Sequence, residues 1–324
     1  MLRIGLTGGI AAGKSVVAGR LGDLGAVLVD ADLLAREVVE PGSEGLGEVV
    51  DAFGPDVLGA DGTLDRPALG RLVFGDDAAR ARLNAIIHPR VRAASATLIE
   101  RAPGDSVVVE DIPLLVETGQ AARFHKVVVV DAADELRVRR MVEQRGMRRE
   151  DAEQRIAAQA PRDERLRAAD AVLPNERGLE DLLAATDALW HERIEPFAAD
   201  LRAGRPASAP GSVRTGLDGT GDLDPRVRAK LAAVLPADVV VEGSGAGAAS
   251  GEAGDGTSGH EDDARRAVLR VQVPGSQDLG TVSAAVAGAG YPRSAREAEA
   301  SSAAPVHRAA DPAYDVVVTL TGGR

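Results

Sequence analysis

The 324-residue chain is predicted to be an α/β protein whose first part forms three layers around a parallel sheet. Three observations predict this. Short runs of Val, Leu and Ile recur along the first two hundred residues, each followed by a stretch with helical spacing. The first run, Leu2–Thr7, passes into Gly8-Gly9-Ile10-Ala11-Ala12-Gly13-Lys14-Ser15, which matches G-x-x-x-x-G-K-[ST], the phosphate-binding P-loop. Carboxylates stand at the ends of later apolar runs, where open parallel sheets bind their ligands.

The first element reads as strand, glycine-rich turn and helix, with the helix starting at Ser15-Val16-Val17. Backbone N–H groups of such a turn form an anion nest, and the helix N-terminus adds partial positive charge. Lys14 would reach the β- and γ-phosphates, and the Ser15 hydroxyl would ligate Mg²⁺. The competing reading is a glycine-rich turn with a chance Lys-Ser.

Ala26–Val29 reads as the second strand, ending at Asp30-Ala31-Asp32. These carboxylates could meet a phosphate acceptor, or either could cap the helix that follows. Residues 41–75 alternate turn signals with short helical patterns. Two helical runs are expected next, Ala78–Ile87 and a second to about Arg101, with Pro89 in the first turn of the second. His88 between them could face the site or make a structural hydrogen bond.

Ser106–Val109 is a β-branched strand leading into Glu110-Asp111-Ile112-Pro113-Leu114-Leu115. Asp111 occupies a Walker-B-like place and could hold Mg²⁺ or its waters, or be an exposed strand-end carboxylate. Lys126–Asp131 is a further strand. On the following helix, about Ala133–Arg145, Arg137, Arg140 and Gln144 share one face and Val138, Met141 and Val142 another. An arginine-bearing lid could neutralise charge developing on a transferred phosphoryl group; Arg140 is chosen for that role, with an ion pair inside the lid as its alternative. Polar helices broken at Pro161 follow. Ala169–Leu173 is a last short strand, and Gly178 to about Leu201 a closing amphipathic helix with Leu179, Leu182, Leu183 and Leu189 inward.

Composition narrows the function classes. A hydrophobic fraction of 44% suffices for a core, while aromatics at 2% require it to be built from Val, Leu and Ala. The formal charge of −12 argues against nucleic-acid binding. With no cysteine, disulfides, thiolate metal sites and cysteine nucleophiles are excluded. No apolar run approaches the about 18 residues of a membrane span, so no membrane partner is expected. The chain enters its first strand directly, so no signal peptide is expected and a cytoplasmic location follows. No obligate protein partner is evident.

Together these residues resemble one family, the dephospho-coenzyme A kinases. The resemblance rests on Ile4–Ile10, Gly13-Lys14-Ser15, Asp30–Arg36 with Val38–Gly42, His88-Pro89, Asp111–Leu115 with Glu117, the Arg137–Arg140 helix, and Ala169-Asp170 with Asn175. It covers about residues 1–203. It implies a P-loop kinase domain at 1–203 with a parallel sheet, a helical insertion on the CoA side and an arginine-bearing lid. The implied reaction is ATP-dependent phosphorylation of the ribose 3′-hydroxyl of dephospho-CoA. ATP would lie on Gly8, Gly9, Ala11, Ala12, Gly13, Lys14, Ser15 and Val16, with Lys14 and Arg140 neutralising the triphosphate. Ser15 and Asp111 would serve Mg²⁺. Asp32 would accept the 3′-hydroxyl proton, with Asp30 as the fallback, and Asp30, His88, Leu114 and Leu115 would contact the acceptor. The chain departs from the family at Ala11 (usually Gly), Ala12 (usually Ser) and Val116 (usually Phe). Ala11 must still turn its N–H to phosphate, which a right-handed nest position permits; a required positive φ would be costly for alanine.

Residues 204–222 are rich in Gly, Pro, Ser and Ala and read as a linker. Beyond them, a helix is expected at Asp224–Leu235, strands at Val239–Ser244, Ala267–Val273 and Tyr314–Leu320, and a helix at Leu279–Gly290. Residues 243–263 are too poor in apolar side chains to pack, and 294–304 are again low in complexity. Residues 223–324 resemble a shortened, degenerate form of the GrpB-like, nucleotidyltransferase-fold domain carried by some actinobacterial members of the family. That resemblance rests on Asp224-Pro225, Gly243-Ser244, Val268–Val273, Ala289–Pro292, and His307 with Asp311-Pro312. Arg270 stands where that family has a strand aspartate, so no catalysis is expected there. A small α+β domain and a largely unpacked tail are both compatible with this composition.

Overall fold

The computed structural model describes residues 1–209, 211, 217–243, 266–294 and 304–322. Part of the expected linker, most of the stretch read as unpacked at 243–263, and residues 295–303 lie outside the described residues.

The chain divides into two compact units. The first comprises residues 1–27, 104–109 and 113–324, and the second residues 28–103 and 110–112. The elements run β1 (Leu2–Gly8), α1 (Lys14–Asp23), β2 (Val27–Asp30), α2 (Ala31–Glu37), α3 (Glu44–Phe53), α4 (Arg66–Val73), α5 (Asp77–Arg101), β3 (Val107–Asp111) and β4 (Lys126–Asp131). The lid segment follows as α6 (Asp134–Arg145), α7 (Arg149–Ala157) and α8 (Arg162–Ala168), then β5 (Ala171–Pro174), α9 (Leu179–Leu189) and α10 (Glu195–Arg202). The last part carries α11 (Leu223–Val234), β6 (Val240–Gly243), β7 (Arg266–Val273), α12 (Leu279–Gly288), β8 (Val306–Arg308) and β9 (Asp315–Gly322).

Strands β1 to β5 form one parallel sheet in the order β2-β3-β1-β4-β5. β1 pairs with β4 from Ile4↔Lys126 to Gly8↔Val130, and β4 with β5 from Val128↔Ala171. Strands buried on both faces need no alternation, and every residue of β4 is buried. Leu2, Ile4, Leu6, Val128, Val130 and Leu173 make the sheet's share of the core, joined by Val17 and Leu21 of α1 and Leu182 and Leu189 of α9.

The closing helix differs from the single amphipathic helix expected. Trp190–Ile194 forms a wider π turn between α9 and α10. Leu182 and Leu189 are buried as expected, but Leu179 is exposed. The extra residue of a π turn rotates the helix face. Here Trp190, Arg193 and Ile194 are all buried.

In the second unit, Val39, Val49, Val57, Leu69 and Ile86 form a core of their own. The two helices expected around His88-Pro89 are one, α5, with Pro89 inside it. Pro89 has no N–H to offer the Ala85 carbonyl. In the same turn, Arg90 Nη1 donates to the Ile86 carbonyl at 2.8 Å. The local rule that proline opens a helix is overridden by the continuous packing of α5 against α2, α3 and α4.

Within the first unit, β6-β7-β9-β8 form a second sheet, parallel between β7 and β9 and antiparallel at both margins. β7 alternates strictly, burying Ala267, Leu269, Val271 and Val273. Val227 and Leu231 of α11 and Val282 and Val286 of α12 pack with that buried set. The described residues of this region are therefore a packed α/β layer rather than an unpacked tail. Arg270 lies on the exposed side of β7, opposite Glu242 of β6.

Candidate functional site

The P-loop connects the carboxyl end of β1 to α1. Gly8 ends the strand against β4; a Cβ there would stand 2.6 Å from the Val130 carbonyl oxygen. The turn then reverses through two left-handed residues, Ala11 at φ 60° and Gly13 at φ 104°. Ala11 is the one non-glycine residue with positive φ among those described. Of the two conformations open to it, the loop takes the costly one: its geometry overrides the side chain's preference, at a cost of about 1–2 kcal/mol. Ala12 N–H turns back to the Gly9 carbonyl at 3.0 Å, and the Ala12 side chain is buried. Lys14 is the first residue of α1 and half-buried, and Ser15 next to it is exposed.

Three arginines converge on this loop. Arg137 of α6 is 1% exposed and Arg165 of α8 is 3% exposed. A Cβ on Gly9 would fall on Arg137 Nη1 and come within 3.2 Å of Arg165 Nη2, so only glycine admits both guanidinium groups. Arg137 Nη2 donates to Asp134 at 2.5 Å, and its Nε has no hydrogen-bond partner. Burial, then the neighbouring Arg137 charge, lower the Arg165 pKa. Two buried cations therefore crowd the P-loop, with Asp134 paired to one edge of Arg137. Such a place takes polyanionic oxygen well.

Arg140 does something different from its neighbours. Its Nη1 donates to the Ala11 carbonyl at 3.2 Å, and its Nη2 to the Asn175 carbonyl at 2.9 Å and to Asn175 Oδ1 at 3.2 Å. Asn175 Nδ2 in turn donates to the Ala12 carbonyl at 2.7 Å. The Asn175 side chain also fills the space a Cβ on Gly13 would need. Arg140 and Asn175 thus brace the loop from its carbonyl side. Burial lowers the Arg140 pKa, and among the described residues no carboxylate pairs with it.

The lid is tied down at several points. Arg162 of α8 grips Asp131 at the end of β4, with Nε 3.0 Å from both carboxylate oxygens and Nη2 2.5 Å from Oδ2. Gln159 Oε1 accepts from the P-loop N–H of Ile10 at 2.9 Å and from Arg137 Nη1 at 3.3 Å. The Ala160 N–H donates to Glu117 Oε1 at 2.9 Å. Arg165 Nη1 donates to the Ala160 carbonyl.

Leu114 is 47% exposed, whereas Leu115 is fully buried under β1. A Cβ on Gly5 would stand 2.6 Å from Leu115 Cδ1. Leu115, expected at the acceptor, is a core residue here because the glycine in β1 leaves a socket for it.

The remaining expected residues lie in the second unit. Asp30 caps α2: its Oδ1 accepts from the N–H groups of Asp32 at 2.8 Å and Leu33 at 3.0 Å. Asp32 stands exposed in the first turn of that helix. Asp111 ends β3 and is buried, as is Glu110 before it. His88 is exposed on α5, and its side chain makes no hydrogen bond among the described residues. No three His, Asp or Glu side chains among the described residues group closely enough to hold a metal ion. A P-loop Mg²⁺ asks less, since phosphate and water supply most of its oxygens. The hydroxyl of Ser15 and the carboxylate of Asp111 are hard oxygen donors of the type it takes.

Arg165 and Gln159 were not singled out from sequence, and Arg137 was noted only as a member of a face. The available signal was weak: polar residues in a segment already read as polar helices.

Comparison with known proteins agrees with this geometry. The family described as Dephospho-CoA kinase matches residues 2–181. A curated "Dephospho-CoA kinase" of Mycolicibacterium paratuberculosis is 55% identical over 210 residues, covering 65% of this chain and 52% of that protein. One from Streptomyces avermitilis is 52% identical over 194 residues, covering 60% of this chain and 95% of its own. The match thus spans about half the length of the mycobacterial relatives. Among solved structures, one titled "Crystal structure of TT1252 from Thermus thermophilus" aligns with a TM-score of 0.53 at 38% identity, over 59% of this chain and 97% of its own. No described helix is long and apolar enough to cross a membrane. With more than half of its residues matched and a phosphate-binding loop under convergent arginines, the chain belongs to the dephospho-CoA kinase family.

Proposed function

We propose that this chain transfers the γ-phosphoryl group of ATP to the ribose 3′-hydroxyl of dephospho-CoA, giving CoA and ADP. The observation that carries the reading is the pair of buried guanidinium groups, Arg137 and Arg165, over Gly9 of the P-loop. Phosphoryl transfer spreads charge over the equatorial oxygens, and fixed cations in a water-poor place stabilise it. The loop residues Gly8, Gly9, Ala11, Ala12, Gly13, Ser15 and Val16 and the Lys14 ammonium would hold the triphosphate, while the Ile10 N–H is taken by Gln159. Arg140 keeps the loop in shape from behind. Ser15 and Asp111 would hold Mg²⁺, which neutralises part of the phosphate charge when bound. Leu114 would offer apolar surface to the acceptor, and His88 remains a candidate contact for it.

Asp32 is the proposed base. The 3′-oxygen forms its bond to Pγ as the bond from Pγ to the ADP oxygen breaks, and the hydroxyl proton passes to the Asp32 carboxylate. Asp30 spends one carboxylate oxygen on the cap of α2, which favours Asp32 for the proton. The reading places the chain in the cytoplasm with its nucleotide.

The test is ADP release from ATP·Mg²⁺ with and without dephospho-CoA. Acceptor-dependent release is expected; its absence in folded protein would sink the substrate assignment. Asp32→Asn should bind ATP normally and turn over on the order of 10²–10⁴-fold more slowly. Turnover near that of the unaltered chain would remove Asp32 from the base role.

A further inference from the structure

Two of the four residues between α7 and α8, Gln159 and Ala160, gather contacts out of proportion to their size. Gln159 Oε1 takes the N–H of Ile10 and Nη1 of Arg137. Ala160 gives its N–H to Glu117 and its carbonyl to Arg165. One joint therefore connects the P-loop, the first lid helix, the last lid helix and the loop after β3.

We propose that Gln159 is a positioning residue for phosphoryl transfer, a latch that fixes the closed lid to the P-loop and aims Arg137 at the phosphate. This rests on the kinase reading above. Its logic lies in the chemistry of the amide. Arg137 is buried, Asp134 holds its Nη2, and the acceptor on Nη1 fixes the remaining freedom of the guanidinium plane. A second carboxylate there, beside Asp134, would hold it more strongly but would add negative charge where phosphate must bind. A neutral carbonyl accepts both bonds without adding a further negative charge beside Arg137 and Arg165. Because the second donor is the Ile10 main chain, the same atom sets the distance between lid and loop. Small errors in such placement are costly, since a misplacement of about 1 Å can lose on the order of 10²-fold in rate.

Two variants of the full chain separate this role from mere packing. Gln159→Leu keeps volume and loses the acceptor. It should lower kcat on the order of 10–10²-fold while the KM for ATP changes little. Gln159→Glu keeps the acceptor and adds charge. It should retain kcat far better than Gln159→Leu but raise the KM for ATP. Hydrogen exchange at the Ile10 amide should speed up in Gln159→Leu and stay slow in Gln159→Glu. An unchanged kcat in Gln159→Leu, or the same kinetic defect in both variants, would overturn the latch, as would unchanged Ile10 exchange. The exchange measurement needs no reaction. If the unaltered chain shows no acceptor-dependent ADP release, it is the kinase reading that fails, and Ile10 exchange still reports on the latch contact.

Discussion

Ala11 carries a conformation that glycine would adopt without strain. Its φ of 60° puts Cβ against the following carbonyl, and the side chain packs beside Val138 and Met141. Ala11→Gly should therefore stabilise the fold by up to about 1 kcal/mol, the relief of strain being partly offset by the freer unfolded chain. A urea titration would measure it; a lowered midpoint would mean that the methyl's packing outweighs the strain. The P-loop was legible residue by residue because its chemistry is local: the glycines, Lys14 and Ser15 act where they stand in the chain. Arg165 and Gln159 were not legible. Arg165 reaches Gly9 only after the lid helices fold back, and nothing within its own segment distinguishes it from Arg162 or Arg167. Leu115 misled for the opposite reason, being adjacent to an exposed leucine but facing a glycine socket 110 residues earlier.

At the scale of elements, strands were read well because burial on both faces makes them continuous apolar runs, as in β4. Helix boundaries were read less well where tertiary packing suppresses a local signal. Pro89 in α5 is the example. Pro89→Ala would return an N–H to the Ala85 carbonyl and should stabilise the protein by about 2 kcal/mol, after allowing for the stiffness proline gives the unfolded chain. A lower melting temperature would show that the proline ring is held in favourable contacts of its own. The π turn at Trp190–Ile194 was equally invisible, since its cause lies in where Arg193 must end. Arg193 donates to Asp218 at 3.1 Å and to the Asp170 carbonyl at 3.2 Å, fully buried.

Across the whole first unit, that arginine belongs to a buried ionic cluster joining the P-loop sheet to the last part of the chain. Lys126 at the head of β4 pairs with Asp311. Lys230 of α11 reaches Asp170 at 2.8 Å and the His125 carbonyl at 2.9 Å. Tyr314 donates its hydroxyl to the Asp170 carbonyl at 2.6 Å. Burial pushes the Asp170 carboxyl up, but Lys230, Arg226 and Lys126 outweigh it and hold it at about 2. Its stabilising contribution is complete above the unfolded value of 3.8 and is lost as pH falls towards 2. His125, which takes the Arg3 N–H on Nδ1 and meets the Gly288 carbonyl through Nε2, is lowered by burial to about 4. It acts in a separate window, withdrawing stability as pH falls from 6.5 towards 4. Burial lowers Lys126 to about 8, so its titration lies outside both windows. Urea midpoints should therefore drop in two acid steps, and Asp170→Asn should shrink only the lower one; the rest belongs to Asp311, which burial raises but Lys126 and Arg193 hold low. A single unchanged profile would refute the assignment to Asp170. None of this cluster could be read from sequence, where each member looks like an ordinary surface charge beside an apolar run.

The same cluster bears on synthesis. Lys126 waits 185 residues for Asp311, and Asp170 waits 60 for Lys230 and 144 for the Tyr314 hydroxyl. While the chain emerges from the ribosome, the parallel sheet can assemble long before these charges meet their counterparts. The nascent sheet would thus carry uncompensated ions at one end until the last part of the chain has been made.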